Sequence, residues 1–159
     1  MKRMPTPALL MALAVVAGPV AAATAAPDPL IGKQLKGLGY SHEVDEDDDY
    51  RLVFELDEGR TQLVYVRSAV EEYGNVSVRE IWSPGYTADT DSLPAALANR
   101  LLEESNQAKL GGWVKQARTA MFVVKIPGDA DAAQLADAIE AATRSADALE
   151  LDLTGKDEL

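Results

Sequence analysis

Tyr50-Arg51-Leu52-Val53-Phe54-Glu55-Leu56-Asp57 is the stretch on which the fold turns. Leu52, Phe54 and Leu56 fall on one side and Arg51, Val53 and Glu55 on the other, and a period of two marks a strand with one face in a core. Asp57-Glu58-Gly59-Arg60 supplies turn residues, after which a second β-rich run covers Thr61 to Ala69. Tyr73-Gly74-Asn75 turns the chain into Val76 to Trp82, and Ser83-Pro84-Gly85 stops that run. Connections this short predict an antiparallel meander of three strands.

Helical signals flank the meander. Asp28-Pro29 pairs an N-cap with a first-turn proline, Leu30, Ile31, Gln34, Leu35 and Leu38 follow at helical spacing, and Gly39 closes the segment. On the far side a polar loop leads to Ser92 as N-cap of a helix to about Asn106, with Pro94 in its first turn and an apolar stripe of Leu93, Leu97, Leu101 and Leu102. Asn106 reads as the structural cap of that helix, because asparagine tolerates the left-handed conformation that ends helices. Gly111-Gly112 then admits a hairpin of Trp113 to Gln116 and Thr119 to Ile126, closed by Pro127-Gly128. Asp129 or Asp131 caps a last helix carrying Leu135, Ile139, Ala142, Ala146 and Leu149 on one face. The predicted order is α-β-β-β-α-β-β-α, an α+β fold with an antiparallel five-stranded sheet and helices packed on it.

Residues 1–25 read as a cleaved export signal. Lys2 and Arg3 form the basic start, Ala8 to Ala17 the short apolar core, and Ala23-Thr24-Ala25 the small-residue site that places cleavage after Ala25. A core of this length falls short of the ~20 residues a bilayer span needs, so no stable membrane insertion is expected after cleavage. Residues 26–153 then form a single domain and 154–159 a polar tail. Loss of Lys2 and Arg3 takes the formal net charge from −11 to −13. Such a charge repels nucleic acid and anionic lipid. With 0 cysteines there is no disulfide, thiolate metal site or thiol nucleophile.

The order of elements and its landmarks resemble the bacterial YbjN family. The landmarks are the first helix ending Leu38-Gly39-Tyr40, the acidic turn and strand Asp45 to Phe54, the helix Leu97 to Asn106, the hairpin Gly112-Trp113 to Pro127 and the helix from Ala132. The resemblance implies a type III secretion chaperone-like fold and a binding or regulatory role of the kind described as sensory transduction regulation. It carries no active site. Many relatives are cytoplasmic, whereas this chain has an export signal.

Residue by residue, the chemistry is sparse. Asp45, Asp47 and Asp49 alternate like the first calcium ligands of an EF-hand, but the sixth position is Tyr50 instead of Gly and the twelfth is Leu56 instead of Glu, so the segment reads as a solvated acidic loop. His42 is the only histidine and reads as a surface residue, unable to anchor a zinc site without partners. Acidic neighbours such as Glu71 and Glu72, or Glu103 and Glu104, offer pairs for acid/base work, yet 26 acidic residues make such pairs uninformative. Asn75-Val76-Ser77 is a glycosylation sequon and Lys156-Asp157-Glu158-Leu159 an endoplasmic-reticulum retention tail. Both read as coincidences beside a bacterial resemblance, and an endoplasmic-reticulum lumen is the rival localisation. Trp82 and Trp113, at strand ends, either fill the core and its rim, the favoured reading because aromatics dominate burial in small domains, or stand exposed as the rim of a protein-binding surface.

These readings give an exported protein of the bacterial periplasm or exterior, without a cofactor or metal. It is expected to be non-enzymatic and to bind another polypeptide or a second copy of itself. A carboxylate-dependent hydrolase of the envelope is the alternative, and an envelope stability factor without a stable partner the third.

Overall fold

The computed structural model describes residues 26–156. The leader with its cleavage after Ala25, and the tail residues Asp157-Glu158-Leu159, lie outside the described residues. The elements are α1 (Pro29–Gly37), β1 (Glu43–Val44), β2 (Tyr50–Glu55), β3 (Thr61–Tyr73), β4 (Val76–Thr87), α2 (Ala95–Gln107), β5 (Gly112–Gln116), β6 (Thr119–Pro127) and α3 (Ala132–Thr154). The described residues form an α+β unit with three α-helices and an antiparallel six-stranded sheet ordered β1-β2-β3-β4-β6-β5.

The sequence expectation of five strands misses β1. Glu43 and Val44 pair with Arg51 and Tyr50 across the acidic turn, and two residues are too few to show alternation. β4 also runs through Ser83-Pro84-Gly85 where a stop was expected. Proline is accepted inside a sheet at a bulge, and the register shifts between Pro84 and Tyr86. A Cβ on Gly85 would lie 2.7 Å from Cη2 of Trp113, so the bulge residue has to be glycine for the tryptophan to close on the strand. α2 starts one residue after Pro94, and Ser92 stays in the loop before it. α3 reaches Thr154, so the polar tail begins at Gly155, whose φ of 64° ends the helix.

Asn106 is not a cap. It sits in the last turn of α2, which continues to Gln107 and closes on Ala108 in extended conformation, the Ala108 N–H donating to Glu104 O at 2.9 Å. The left-handed residue before the hairpin is Gly111, at φ 83°, where a Cβ would come within 2.7 Å of the Phe122 ring.

One face of the sheet forms the core with the helices. Leu52, Val64, Val66, Ile81, Phe122 and Val124 alternate along their strands to meet Ile31 and Leu35 of α1, Leu97 and Leu101 of α2, and Leu135, Ile139 and Leu149 of α3. Ala138, Ala142 and Ala146 of α3 are fully buried, and their small side chains let the helix lie close to β4 and β6. Capping is reciprocal at Asp131, whose side chain accepts from Gln134 N while Gln134 Oε1 accepts from Asp131 N.

A buried arginine locks the first helix onto the sheet. The β3–β4 register shifts between Val66 and Val70, which leaves main-chain groups of β3 without their ladder partners. Arg79, only 1% exposed, donates to Arg67 O at 2.7 Å and Ser68 O at 2.9 Å, and its Nη2 pairs with Asp28 Oδ2. Asp28 is at the same time the N-cap of α1, accepting from Leu30 N through Oδ1. Its N–H donates to Ser68 Oγ and its carbonyl accepts from the Tyr50 hydroxyl. Beyond the bulge, β3 and β4 continue as a two-stranded arm ending at Tyr73, which is 86% exposed. Gly74, at φ 62°, makes the two-residue turn at its tip.

Candidate protein-binding surface

The sheet face opposite the core carries no helix of the core layer. Register aligns Arg51, Tyr65, Trp82, Val123 and Gly112 in one row across five strands. A second row holds Val53 opposite Leu63 and, further across, Pro84, Met121 and Val114. Met121 and Val123 are screened by their neighbours, while Val53 and Val114 are 47% and 43% exposed. The arm adds Tyr73 and Val76 to the same face, because they share the parity of Val78, Glu80 and Trp82. The result is a broad, mainly apolar surface.

Its charges are mutually satisfied near the centre. Arg67 stacks over Trp82, 4.6 Å from the ring centroid, and pairs with Asp49. Trp82 Nε1 donates to Glu80 Oε2 at 2.8 Å, and Lys125 Nζ meets Glu80 Oε1 at 2.8 Å, which raises the lysine pKa. Arg51 pairs with Glu43 at 3.5 Å.

The two tryptophans therefore part company. Trp82 belongs to the open face, half-buried, as a rim residue would. Trp113 is a core residue, 9% exposed, packed edge-to-face on Phe122 at 5.1 Å, with Nε1 donating to Glu104 Oε2 at 3.0 Å. Adjacent strand residues point to opposite faces, and the position of Trp113 at the start of β5 did not reveal which parity was inward.

The acidic loop is more ordered than its composition suggests. Asp45 Oδ1 accepts from Asp47 N and Asp49 N, both at 2.9 Å, and Asp48 adopts φ 63°. Asp49 turns inward, 4% exposed, accepting from Ser68 N at 2.7 Å. Among the described residues no group of three or more acidic or histidine side chains is placed to hold a metal ion. His42 is half-buried instead of a surface residue, packed edge-on against Tyr50 with Nδ1 3.0 Å from Tyr40 O.

Burial pushes the Asp49 carboxyl above its ordinary value of 3.8, against the opposing pull of the Ser68 N–H and the Arg67 guanidinium, with Asp45 and Asp47 adding repulsion. The folded protein then holds this proton more tightly than the unfolded chain. Its contribution to stability is complete below pH 3.8 and is lost as pH rises through the folded pKa. Asp49→Asn removes the titration, so its stability relative to wild type should rise with pH across that window and then level off. Urea melts of both proteins between acid and neutral pH measure this; a difference that is flat or falls with pH contradicts it.

The suggested carboxylate pairs do not assemble. Glu71 and Glu72 are adjacent on β3 and face opposite sides of the arm. Glu103 is exposed, whereas Glu104 is engaged by Arg100 and Trp113. A groove of about 770 Å³ between the end of β2 and α3 contains Glu140 and Asp147, but Arg60 grips both oxygens of Asp147 at 2.9 and 3.1 Å and Arg144 holds Glu140 at 2.7 Å. Carboxylates paired this way have their oxygens occupied by guanidinium donors, which suits recognition better than proton transfer. Among the described residues no helix is long and apolar enough to cross a membrane. No family model matches the chain, and no curated protein matches it.

No local pattern pointed to the Arg79–Asp28–Ser68–Asp49 network. Ser77, Arg79 and Ser83 put polar letters on the inward face of β4, so the stretch reads as alternating in the wrong sense. A turn-free shift in β-pattern around Arg67 to Ala69 was the one available signal of a bulge.

Proposed function

We propose that this is an exported, YbjN-like polypeptide-binding module that engages another protein through the open face of its sheet. The observation that carries the proposal is the uncovered apolar surface centred on Trp82. Five strands ~4.8 Å apart and about 20 Å long, with the two-residue β1 at one edge, make a face of roughly 500 Å², to which the arm adds; standard interfaces bury about 800 Å² per partner. Trp82 is oriented by Glu80 and stacked by Arg67, so it pays little rotamer entropy on docking. Tryptophans in that setting are the usual hot spots of interfaces.

The occupant we favour is a different polypeptide of neutral or basic surface. A second copy would bring together two chains each carrying a formal charge of −11 or, without the leader, −13. The arrangement of elements, apart from β1, follows the order on which the resemblance to YbjN proteins and their type III secretion chaperone-like fold rests. The export signal supports a periplasmic or extracellular site of action.

Trp82→Ala should leave the protein folded, at a loss of about 1–2 kcal/mol, and weaken partner binding by at least about thirtyfold. The measurement is capture from the protein's own envelope extract by wild type and variant, followed by titration of the purified partner. Equal capture by the two proteins, or no captured partner at all, removes the proposal. A dimer that strengthens with salt in sedimentation velocity would make the second copy the occupant.

A further inference from the structure

We propose that the groove between the end of β2 and α3 receives a cationic amphipathic helix, on a surface separate from the open face. α3 covers β3, β4 and β6, α2 lies against β5, and α1 packs beside α3 near the start of β2, where Gly32 meets Tyr50; the other end of β2, at Phe54 and Glu55, borders a groove against α3. The gap is a trench of about 770 Å³ running beside two turns of α3, from Ile139 to Asp147. An α-helix is ~10 Å across and packs 8–10 Å from its neighbour, so a docked helix would lie along the Ile139 to Asp147 stretch of α3.

The floor is apolar: Tyr40 and Phe54, in edge-to-face contact at 5.2 Å, with Leu56 and Ile139. The rim is acidic. On the α3 side Glu140 and Asp147 are paired with Arg144 and Arg60; on the β2 side Glu55 and Asp57 are in no salt bridge among the described residues, although the Asp57 charge also acts on Arg60. Apolar side chains of a docked helix would cover the floor, and its lysines or arginines would reach Glu55 and Asp57. With four carboxylates against two guanidiniums in the lining, such an occupant meets both the shape and the charge; an acidic helix meets only the first.

The test uses two acetylated, amidated leucine-based amphipathic peptides of fourteen residues, one with lysine and one with glutamate on the polar face, and ¹⁵N-labelled protein. The lysine peptide should shift amides clustered at residues 54–57 and 139–147. Glu55→Lys with Asp57→Lys should weaken it at least tenfold, and the remote pair Asp89→Lys with Glu103→Lys, with the same change in net charge, less than twofold. Trp82→Ala should leave it unaffected, which separates this groove from the open-face partner. Because the amide map is read on the unaltered protein, it stands even where a variant is poorly folded. Absence of binding, equal binding of the glutamate peptide, shifts spread over the acidic surface or the open face, or equal weakening by the remote pair overturns the proposal.

Discussion

Asp28→Ala should cost the fold about 3–5 kcal/mol, the penalty for stranding a buried charge. Arg79 is 1% exposed and Asp28 is its one carboxylate partner among the described residues, while the two carbonyls it also serves, of Arg67 and Ser68, carry no net charge. Asp28 further caps α1, so the same substitution frees the Leu30 N–H. Urea denaturation followed by circular dichroism gives the loss directly. Arg79→Met on top of Asp28→Ala should recover only part of it, because the bulge carbonyls then lose their donor. Full recovery would mean that the ion pair alone matters, and a loss under 1 kcal/mol for the single variant would mean that the network does not anchor α1.

Trp113→Ala should be as damaging, about 3–5 kcal/mol, since it empties a large aromatic site in the core. The ring packs on Phe122, lies against Gly85 and ties β5 to α2 through Glu104, while the Trp113 N–H donates to Ser105 Oγ at 2.7 Å. Trp113→Phe keeps part of the packing and loses the indole hydrogen bond, so its loss should be smaller. Thermal or urea melts of Trp113→Ala and Trp82→Ala side by side separate the two roles. Comparable losses from both would contradict the assignment of one to the core and the other to a surface.

Most of the fold was legible because its elements follow strong local rules. The stripe Leu135, Ile139, Ala142, Ala146 and Leu149 lies on the buried face of α3, Asp28 and Asp131 cap their helices, and Gly39, Gly111 and Gly155 take positive φ. Misreadings arose where tertiary partners override local preference. Pro84 sits inside a strand because a bulge accommodates it, Asn106 remains helical because Gly111 makes the turn, and β1 exists only by pairing with β2. The open face is less readable than the core. Apolar residues such as Leu63, Tyr65, Met121 and Val123 on that face make β3 and β6 look apolar on both sides, and period alone does not say which side a helix covers. Sequence left both tryptophans between core and exposed rim, and only the register across β4, β6 and β5 distinguishes them.

The strand order has a kinetic corollary. β1 to β4 are each hydrogen-bonded to the next in sequence, so that half assembles by closing short turns, a route with little entropic barrier. β6 instead enters beside β4 after the chain has passed through α2 and laid out β5 at the outer edge. Trp82 meets Val123 only when that long excursion closes, and the two-stranded β5–β6 unit has to arrive already formed. The topology therefore predicts that docking of this hairpin onto the meander is the slow step, so Val123→Ala at the β4–β6 contact should slow refolding more than Val53→Ala in the meander. Until it happens, the β4 edge stands open as a template for strands of other molecules.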